Sequence, residues 1–576
     1  MPVHNSDISD MLRKAADLLE IEGADEFRVR SYRQAARSID NLTENLTDKV
    51  SDGEDLTGIP DVGESIAEKI EEIVKTGSLK QLEEIKKRVP EELADLLNLE
   101  GIGPKRAKEI YDELDVDSIT DLREAVEKHK VREIEGFGKK TEEKIGRELE
   151  RQSNQESRTL LSRAEEIAEP LLEYLNECKE ADRIVIAGSY RRRKETVGDL
   201  DILATGEDEE AIANHFVSYE DVDEVIKKGE KRTSIRLKSG LQVDMAVLSK
   251  ESFGAALIYF TGSKEHGIHL RERALARDLK VNEYGIFREG EDEPIAGETE
   301  EEMYEALDLA WVPPEMRENR GEIELAEKDN LPDLITLDDI KGDIHMHTTY
   351  TDGGASIREM AEAARDLGYQ YIAITDHSKR VNVAGGLDAD ELAEQLKEID
   401  ELNDETDGIR ILKGAEVDIL EDGSLDLPDD ILSRLDLRIC SVHYHMDMDS
   451  DKQTERILKA MDNPWFDILA HPTGRLLQKR EAMELDLEAI MDKAAEKKIL
   501  MEINANPERL DLNDRNCKMA MERGLMISVA TDAHSIGDLK NMKYGVYQAR
   551  RGWLEPKNVV NTLGVDELLE HFGKNG

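Results

Sequence analysis

Between residues 341 and 576, short apolar runs near positions 343, 371, 411, 438, 467, 500 and 527 alternate with helical stretches. No other feature constrains the fold as much. Strands separated by helix-length segments pair in parallel, and a long series of them closes into an α/β barrel or a relative of one. Nearly every run ends in polar residues: His345 and His347 with Asp352 shortly after, His377, Glu416, His443, His471, and Asp532 with His534. In a parallel barrel the C-terminal strand ends share one mouth, so these residues are expected to converge. Of the 13 histidines in the chain, seven lie between 345 and 534, and only His445 is not at a strand end. A lone buried histidine is usually a satisfied core residue. Six of them mixed with carboxylates at equivalent positions point instead to two or three metal ions. Imidazole and carboxylate without thiolate suit Mn²⁺, Zn²⁺ or Fe.

A second constraint is Gly188 to Asp201, GSYRRRKETVGDLD. The run Ile184 to Ala187 reads as a buried strand that ends in Gly188-Ser189, where backbone can approach a phosphate closely. Four cations follow, Arg191 to Lys194. The next strand carries Asp199 and Asp201 around Leu200, and the two-residue period places both carboxylates on one face. Asp244, in the strand-like Leu241 to Met245, is a third. Three acids from two strands can hold Mg²⁺ (or Mn²⁺) for an in-line phosphoryl displacement.

With 576 residues the chain is expected to form three or four domains, and it has no apolar run of membrane length. Cys178, Cys440 and Cys517 are far apart and form no CxxC pair, which suits a reducing cytoplasm. The formal charge of −52 opposes the phosphate contacts that drive nucleic-acid binding. Apolar periodicity persists along the chain, so disorder does not explain the charge. A cytoplasm of molar salt does, because the Debye length there is only about 3 Å. The chain is therefore expected to come from a halophile, with polyanions held by local cations and backbone amides.

In the N-terminal third, Ile8, Leu12, Ala15, Leu18 and Leu19 make one apolar stripe on a helix. Three segments then align without a gap: Ile59 to Ile70, Leu99 to Ile110 and Ile134 to Ile145. Each pairs a tight turn with a new helix, so Gly63, Gly101, Gly103, Gly136 and Gly138 mark places where unpaired amides can grip phosphate. Three copies favour helix-hairpin-helix DNA clamps over simple connectors.

The Gly-Ser turn and its Asp pair resemble the nucleotidyltransferases, specifically the family X DNA polymerases related to polymerase beta. The resemblance implies that Asp199, Asp201 and Asp244 hold the catalytic metals, with Asp244 aligning or deprotonating the primer 3′ hydroxyl. It implies that Gly188, Ser189 and Arg192 hold the triphosphate, and that the Tyr259-Phe260 backbone and Gly262 face the sugar. Val281 to Tyr284 looks like the family's template-side strand, and Arg271 joins the expected DNA contacts. Where the family commonly has an Asn that reaches the base, this chain has Gly267. Ser31 to Ala36 resembles the family's lyase domain, in which a lysine matching Lys69 forms a Schiff base with an abasic sugar. Lys144 occupies the same place in the third repeat, and Ser65 and Arg28 stand where an active lyase has lysines.

The motifs HMHTTYTDG, TDHS, GAEVD, SVHYH, AHPTG and TDAHS resemble the PHP phosphoesterase domain. That resemblance assigns His345, His347, Asp352, His377, Glu416, His443, His471, Asp532 and His534 to its metals, which would activate water for attack on phosphorus. The expected fold is multidomain: an α-helical lyase-like domain (1–90), a helix-hairpin-helix region (91–152), an α+β nucleotidyltransferase core (153–318), a linker (319–340) and an α/β PHP barrel (341–576). The order looks like the prokaryotic family X polymerases. It implies a monomeric, cytoplasmic gap-filling repair enzyme that acts on gapped or nicked duplex DNA and deoxynucleoside triphosphates. Its barrel would process 3′ ends, and other repair proteins would be partners. Two alternatives remain open: a 3′ nuclease or phosphatase whose polymerase core only binds DNA, and a small-molecule phosphoesterase fused to an unrelated N-terminal half.

Overall fold

The computed structural model describes every residue except 1–4, 41–45, 53–54, 60, 100–101, 115, 135, 156–157, 230, 289, 292 and 574–576. The N-terminal region is helical. Helix Asn5–Glu22 buries the stripe from Ile8 to Leu19 against Glu26–Asp40, and it also touches Glu91–Asn98 and Pro104–Leu114. One apolar cluster therefore runs from Ile8 to Leu149, and the segments drawn as 1–90 and 91–152 share it. In each repeat the same turn hydrogen bond forms, from Val62 N to Ile59 O (3.1 Å), Ile102 N to Leu99 O (3.0 Å) and Phe137 N to Ile134 O (3.0 Å). Helices Glu64–Thr76, Pro104–Leu114 and Lys139–Gln155 start immediately after Gly63, Gly103 and Gly138. The turn needs a left-handed residue, which is Gly136 (φ 88°) in the third copy and Asp61 (φ 59°) in the first.

The central sheet has the strand order Ala181–Ile186, Asp199–Gly206, Gln242–Leu248, Arg232–Leu237, Val222–Lys228. Leu200, Ile202, Val243 and Met245 pack on one face with helix Leu161–Asn176. Leu203 and Ala246 pack on the other with helix Phe253–Thr261. Asp199, Asp201 and Asp244 alternate with the first set, so all three belong to the second face. Strands Asp199–Gly206 and Gln242–Leu248 are parallel, and their register sets Asp201 directly opposite Asp244.

Segment 319–340, expected to be a linker, is packed. Glu322, Ile323, Ala326 and Ile335 are buried, and helix Glu322–Glu327 joins the core formed by Ala255, Leu270, Tyr304 and Trp553. Its acidic composition misleads because Glu322 is paired inside: its Oε1 lies 2.7 Å from His266 Nδ1 and accepts from Asn319 N at 2.8 Å.

The C-terminal domain holds parallel sheets of three and five strands, and the expected runs supply them. Bridges between His377 and Glu416 and between Met346 and Ala533 join the sheets into a closed ring. Beyond the last strand, the buried Asn561 sits at the seam between strands Gly342–Asp343 and Ile527–Ala530. Its Nδ2 donates to Gly342 O and Val529 O (both 2.8 Å), and its Oδ1 accepts from Val529 N (2.8 Å).

The barrel is fused to the polymerase-like core by a buried interface. Leu161, Ala164 and Val197 share one cluster with Leu477, Leu510 and Tyr544. Around it, Arg475 pairs with Glu195 (2.8 Å), Arg550 with Glu315 (2.7 Å) and Arg320 with Asp514 (2.8 Å). No described helix is long and apolar enough to cross a membrane.

Candidate active sites

The first site lies at the start of strand Asp199–Gly206. Gly188 (φ 65°) comes so close that an added Cβ would fall 2.6 Å from Asp201 Oδ2, so only glycine allows this approach. Burial, with the charges of Asp199 and Asp244, pushes Asp201 up to about 7. Burial and Asp244 raise Asp199 as well. Clustered carboxylates that favour protons in this way offer a ready place for a divalent cation. Asp244 is steered by two residues that the sequence did not single out. Ser234, its neighbour across the sheet, donates Oγ to Oδ1, and Gln242 donates Nε2 to Oδ2 at 2.9 Å.

Helix Gly188–Arg191 carries a half-buried Ser189 next to this cluster. Arg192 is held otherwise than expected: Nη1 donates to the Thr261 carbonyl and Nε to Glu318 Oε1 (3.1 Å), so its guanidinium anchors the turn at Gly262. Arg191 forms a two-pronged pair with Glu300 (2.7 and 2.8 Å), to which the fully buried Arg317 also bonds (2.7 and 3.1 Å). Burial opposes the Glu300 charge, but the two guanidiniums outweigh it and hold the carboxyl well below its usual range. Tyr259 is exposed and Phe260 half-buried, with Arg232 over the Phe260 ring at 5.3 Å. Arg271 is exposed one turn after Gly267.

At the barrel mouth all nine expected residues come together. Glu416 is the hub: His345 Nε2 (3.6 Å), His347 Nε2 (3.5 Å), His377 Nδ1 (2.8 Å), His443 Nε2 (3.3 Å) and His471 Nε2 (3.0 Å) surround its carboxylate. Asp532 Oδ1 lies 3.1 Å from His347 Nε2, and Asp352 Oδ1 lies 3.6 Å from His377 Nε2 and 3.5 Å from His534 Nε2. Three overlapping groups each bring ligand atoms within 4.8 Å of one another: His347, Asp352, His377 and His534; His345, His347 and Asp532; His377, Glu416 and His443. His445 lies apart, 3.0 Å from Glu421.

The donor set fits divalent metals. His345 Nε2, His347 Nδ1 and His471 Nδ1 are buried without a hydrogen-bond partner, and such orphaned atoms call for a cation. Burial pulls His443 and His534 down, yet their carboxylate neighbours raise both to about 9. Burial, with His534 and His377, drops His347 to about 3.

Sequence reading missed the supporting residues. Glu502 Oε1 lies 2.6 Å from His345 Nδ1, and its Oε2 accepts from His471 N at 2.6 Å. Asp418 Oδ1 lies 3.1 Å from His443 Nδ1, and Asn504 donates to Asp532 Oδ2 at 3.0 Å. Such partners fix ring orientation and tautomer. The available signal was Glu502 itself, an acid inside the apolar run Leu500 to Asn504 whose every residue is buried.

Lys69 projects toward a cavity of about 340 Å³ lined by Arg28, Lys80, Arg88, Glu68 and Glu72. Its Nζ donates to Ser65 O (2.6 Å) and Ser65 Oγ (2.7 Å) and lies 5.7 Å from the centre of the Tyr32 ring. Burial and Arg28 lower its pKa. An added Cβ at Gly63, Gly103, Gly136 or Gly138 would meet nothing within 4 Å, so the clamp turns face open space. Gly101 lies outside the described residues.

Several family models match parts of the chain. They match a helix-hairpin-helix domain (3–79), a SAM-like helix-hairpin-helix tandem (53–115 and 93–151), the DNA polymerase beta palm (162–257), the DNA polymerase beta thumb (256–318) and the PHP domain (343–506). The chain is 38% identical over 575 residues to the DNA polymerase/3′-5′ exonuclease PolX of Bacillus subtilis, covering 100% of both chains. The barrel alone resembles probable phosphatases. One from Thermoanaerobacter sp. is 31% identical over 40% of this chain and 93% of its own length, and one from Syntrophotalea carbinolica is 26% identical over 40% and 96%. The chain belongs to the family X DNA polymerases that carry a C-terminal PHP domain.

Proposed function

We propose that this protein is a DNA-repair polymerase that fills short gaps at the Asp199, Asp201 and Asp244 site and trims or unblocks 3′ ends at the barrel mouth. The observation that carries this reading is the register pairing of Asp201 with Asp244 beside Gly188, in a chain whose barrel independently gathers eight ligand-type side chains, with His471 against Glu416 as a ninth. Divalent metals held by these two sets would supply Lewis-acid charge at the reacting phosphates. Asp244, held by Ser234 and Gln242, aligns the primer 3′ hydroxyl. The Gly188 backbone and Ser189 receive the triphosphate, and the Tyr259-Phe260 backbone and Gly262 face the sugar. Arg192 keeps that turn in place. At the barrel, Glu502 and Asp418 keep His345 and His443 oriented so that their free nitrogens face the cluster. Gly63, Gly103, Gly136 and Gly138 hold duplex phosphates through backbone amides, and Arg271 adds a charge contact. Primer extension on a one-nucleotide gap in molar salt, with parent and Asp201→Ala compared, tests the polymerase assignment. No extension by the parent would favour the reading in which the core only binds DNA.

A second activity is supported by the Lys69 cavity. An amine with lowered pKa among Arg28, Lys80 and Arg88 suits imine formation with an abasic sugar whose 5′ phosphate those cations hold.

A further inference from the structure

Two barrel loops carry arginines that the proposed chemistry does not use. Arg480 lies in the loop that follows His471, where its Nε donates to the Gly474 carbonyl at 2.9 Å. Among the described residues, no ion pair to a carboxylate forms at its guanidinium. Arg509 lies in the loop that follows Asn504, with Nε 3.6 Å from Asp532 Oδ2 and the side chain 21% exposed. The loops are tied together by Leu477 N to Glu508 O (2.6 Å) and by Lys479 to Glu508 (2.7 Å). Burial and then the Arg509 charge lower the Arg480 pKa, and buried Asp511 opposes both. In the Arg480 loop the Thr473 hydroxyl is also buried and without a partner.

Arg480 is out of character for a chain of net charge −52, in which most buried arginines are matched to carboxylates, as Arg509 is to Asp532. A guanidinium with no carboxylate partner, in a loop tied to the Arg509 loop beside a metal-type cluster, is stabilised by an anion, and its planar shape suits phosphate oxygens in particular. Position narrows the choice of anion. Gln478, two residues before Arg480, donates Nε2 to the Arg158 carbonyl at 2.6 Å. Arg158 in turn binds Thr196 Oγ1 at 2.9 Å, three residues before Asp199. The loop therefore spans from the barrel mouth to the palm edge at the first site.

We propose that Arg480, with Arg509 beside it, is a phosphodiester subsite that receives a single-stranded 3′ end on the side of the barrel mouth turned toward the palm. Arg509 borders the cluster and meets the phosphate that is cut, whereas Arg480 holds the next internucleotide phosphate. This rests on the proposed 3′-end activity, and the test separates the two. Binding of a labelled single-stranded tetranucleotide is followed by anisotropy across a salt series in EDTA, for the parent, Arg480→Ala, Arg480→Lys and the exposed control Lys397→Ala on helix Ala389–Glu405. Arg480→Ala is expected to weaken binding about tenfold and to lower the salt slope by about one, with Lys397→Ala unchanged. In cleavage, Arg480→Ala is expected to raise KM for the oligonucleotide about tenfold, with kcat and the rate on thymidine 5′-(p-nitrophenyl phosphate), which has a single phosphodiester, preserved. Equal binding and equal KM for the parent and Arg480→Ala would overturn the subsite. A parent that cleaves neither substrate but loses oligonucleotide binding with Arg480→Ala would overturn the 3′-end activity and leave the subsite standing.

Discussion

Replacing Asn561 with alanine would open the barrel where its first and last strands meet. The side chain is fully buried and makes three hydrogen bonds of 2.8 Å, to Gly342 O, Val529 O and Val529 N. Each backbone group left unpaired in the interior costs about 1–3 kcal/mol, and neighbouring losses do not add fully. A destabilisation of ~3–6 kcal/mol follows, a large share of the roughly 5–15 kcal/mol that holds a domain folded. Asn561→Asp keeps the shape but turns an acceptor toward two carbonyls, and it should be at least as damaging. The assay is thermal unfolding followed by circular dichroism. Asn561→Ala is expected to lower the barrel transition by at least about 5 °C. The helical region, whose cluster runs from Ile8 to Leu149, should melt as in the parent. Because the seam joins the strand before His345 and His347 to the strand before Asp532 and His534, metal content should fall as well. A shift of less than about 2 °C with full metal content would refute the reasoning.

Acid should loosen the joint between barrel and core. Burial disfavours the Asp514 charge, but Arg551 and Arg320 outweigh it and hold the group at about 2. A depressed carboxyl contributes stability above its unfolded pKa of 3.8 and loses it as pH falls toward 2, here ~2 kcal/mol. Asp514→Asn should flatten the stability profile between pH 4 and 2 in an acid titration, as a parent-like slope would not. Thermal stability should rise from dilute buffer to molar KCl, because the charge of −52 is then screened; equal melting temperatures would reject the halophilic origin. Borohydride should trap the parent on DNA with an incised abasic site, and Lys69→Ala should abolish the adduct. Undiminished trapping in that variant would move the reactive amine elsewhere.

The nine barrel residues were legible because parallel strands deliver their C-terminal ends to one place, so position along the chain stood in for position in space. The palm acids were legible for a similar reason: a two-residue period fixes a face without knowledge of the partner strand. The supporting contacts were not. Glu502 and Asp418 act across strands whose register no single run contains, and Ser234 reaches Asp244 only because the two strands are antiparallel neighbours. Segment 319–340 read as a connector because Glu322 counts as polar in a sequence, whereas its burial depends on His266, 56 residues earlier. The family resemblance implied a phosphate role for Arg192, and nothing local revealed its partner Glu318.

The central claim is that one chain holds two independent phosphoryl-transfer sites, and a single labelled duplex with a one-nucleotide gap tests it most directly. Extension and 3′-nucleotide removal are measured on that duplex for Asp201→Ala and His347→Ala under identical salt and metal. Asp201→Ala should lose extension and keep removal, and His347→Ala should do the reverse. Loss of both activities in either variant, or of neither, would contradict the account.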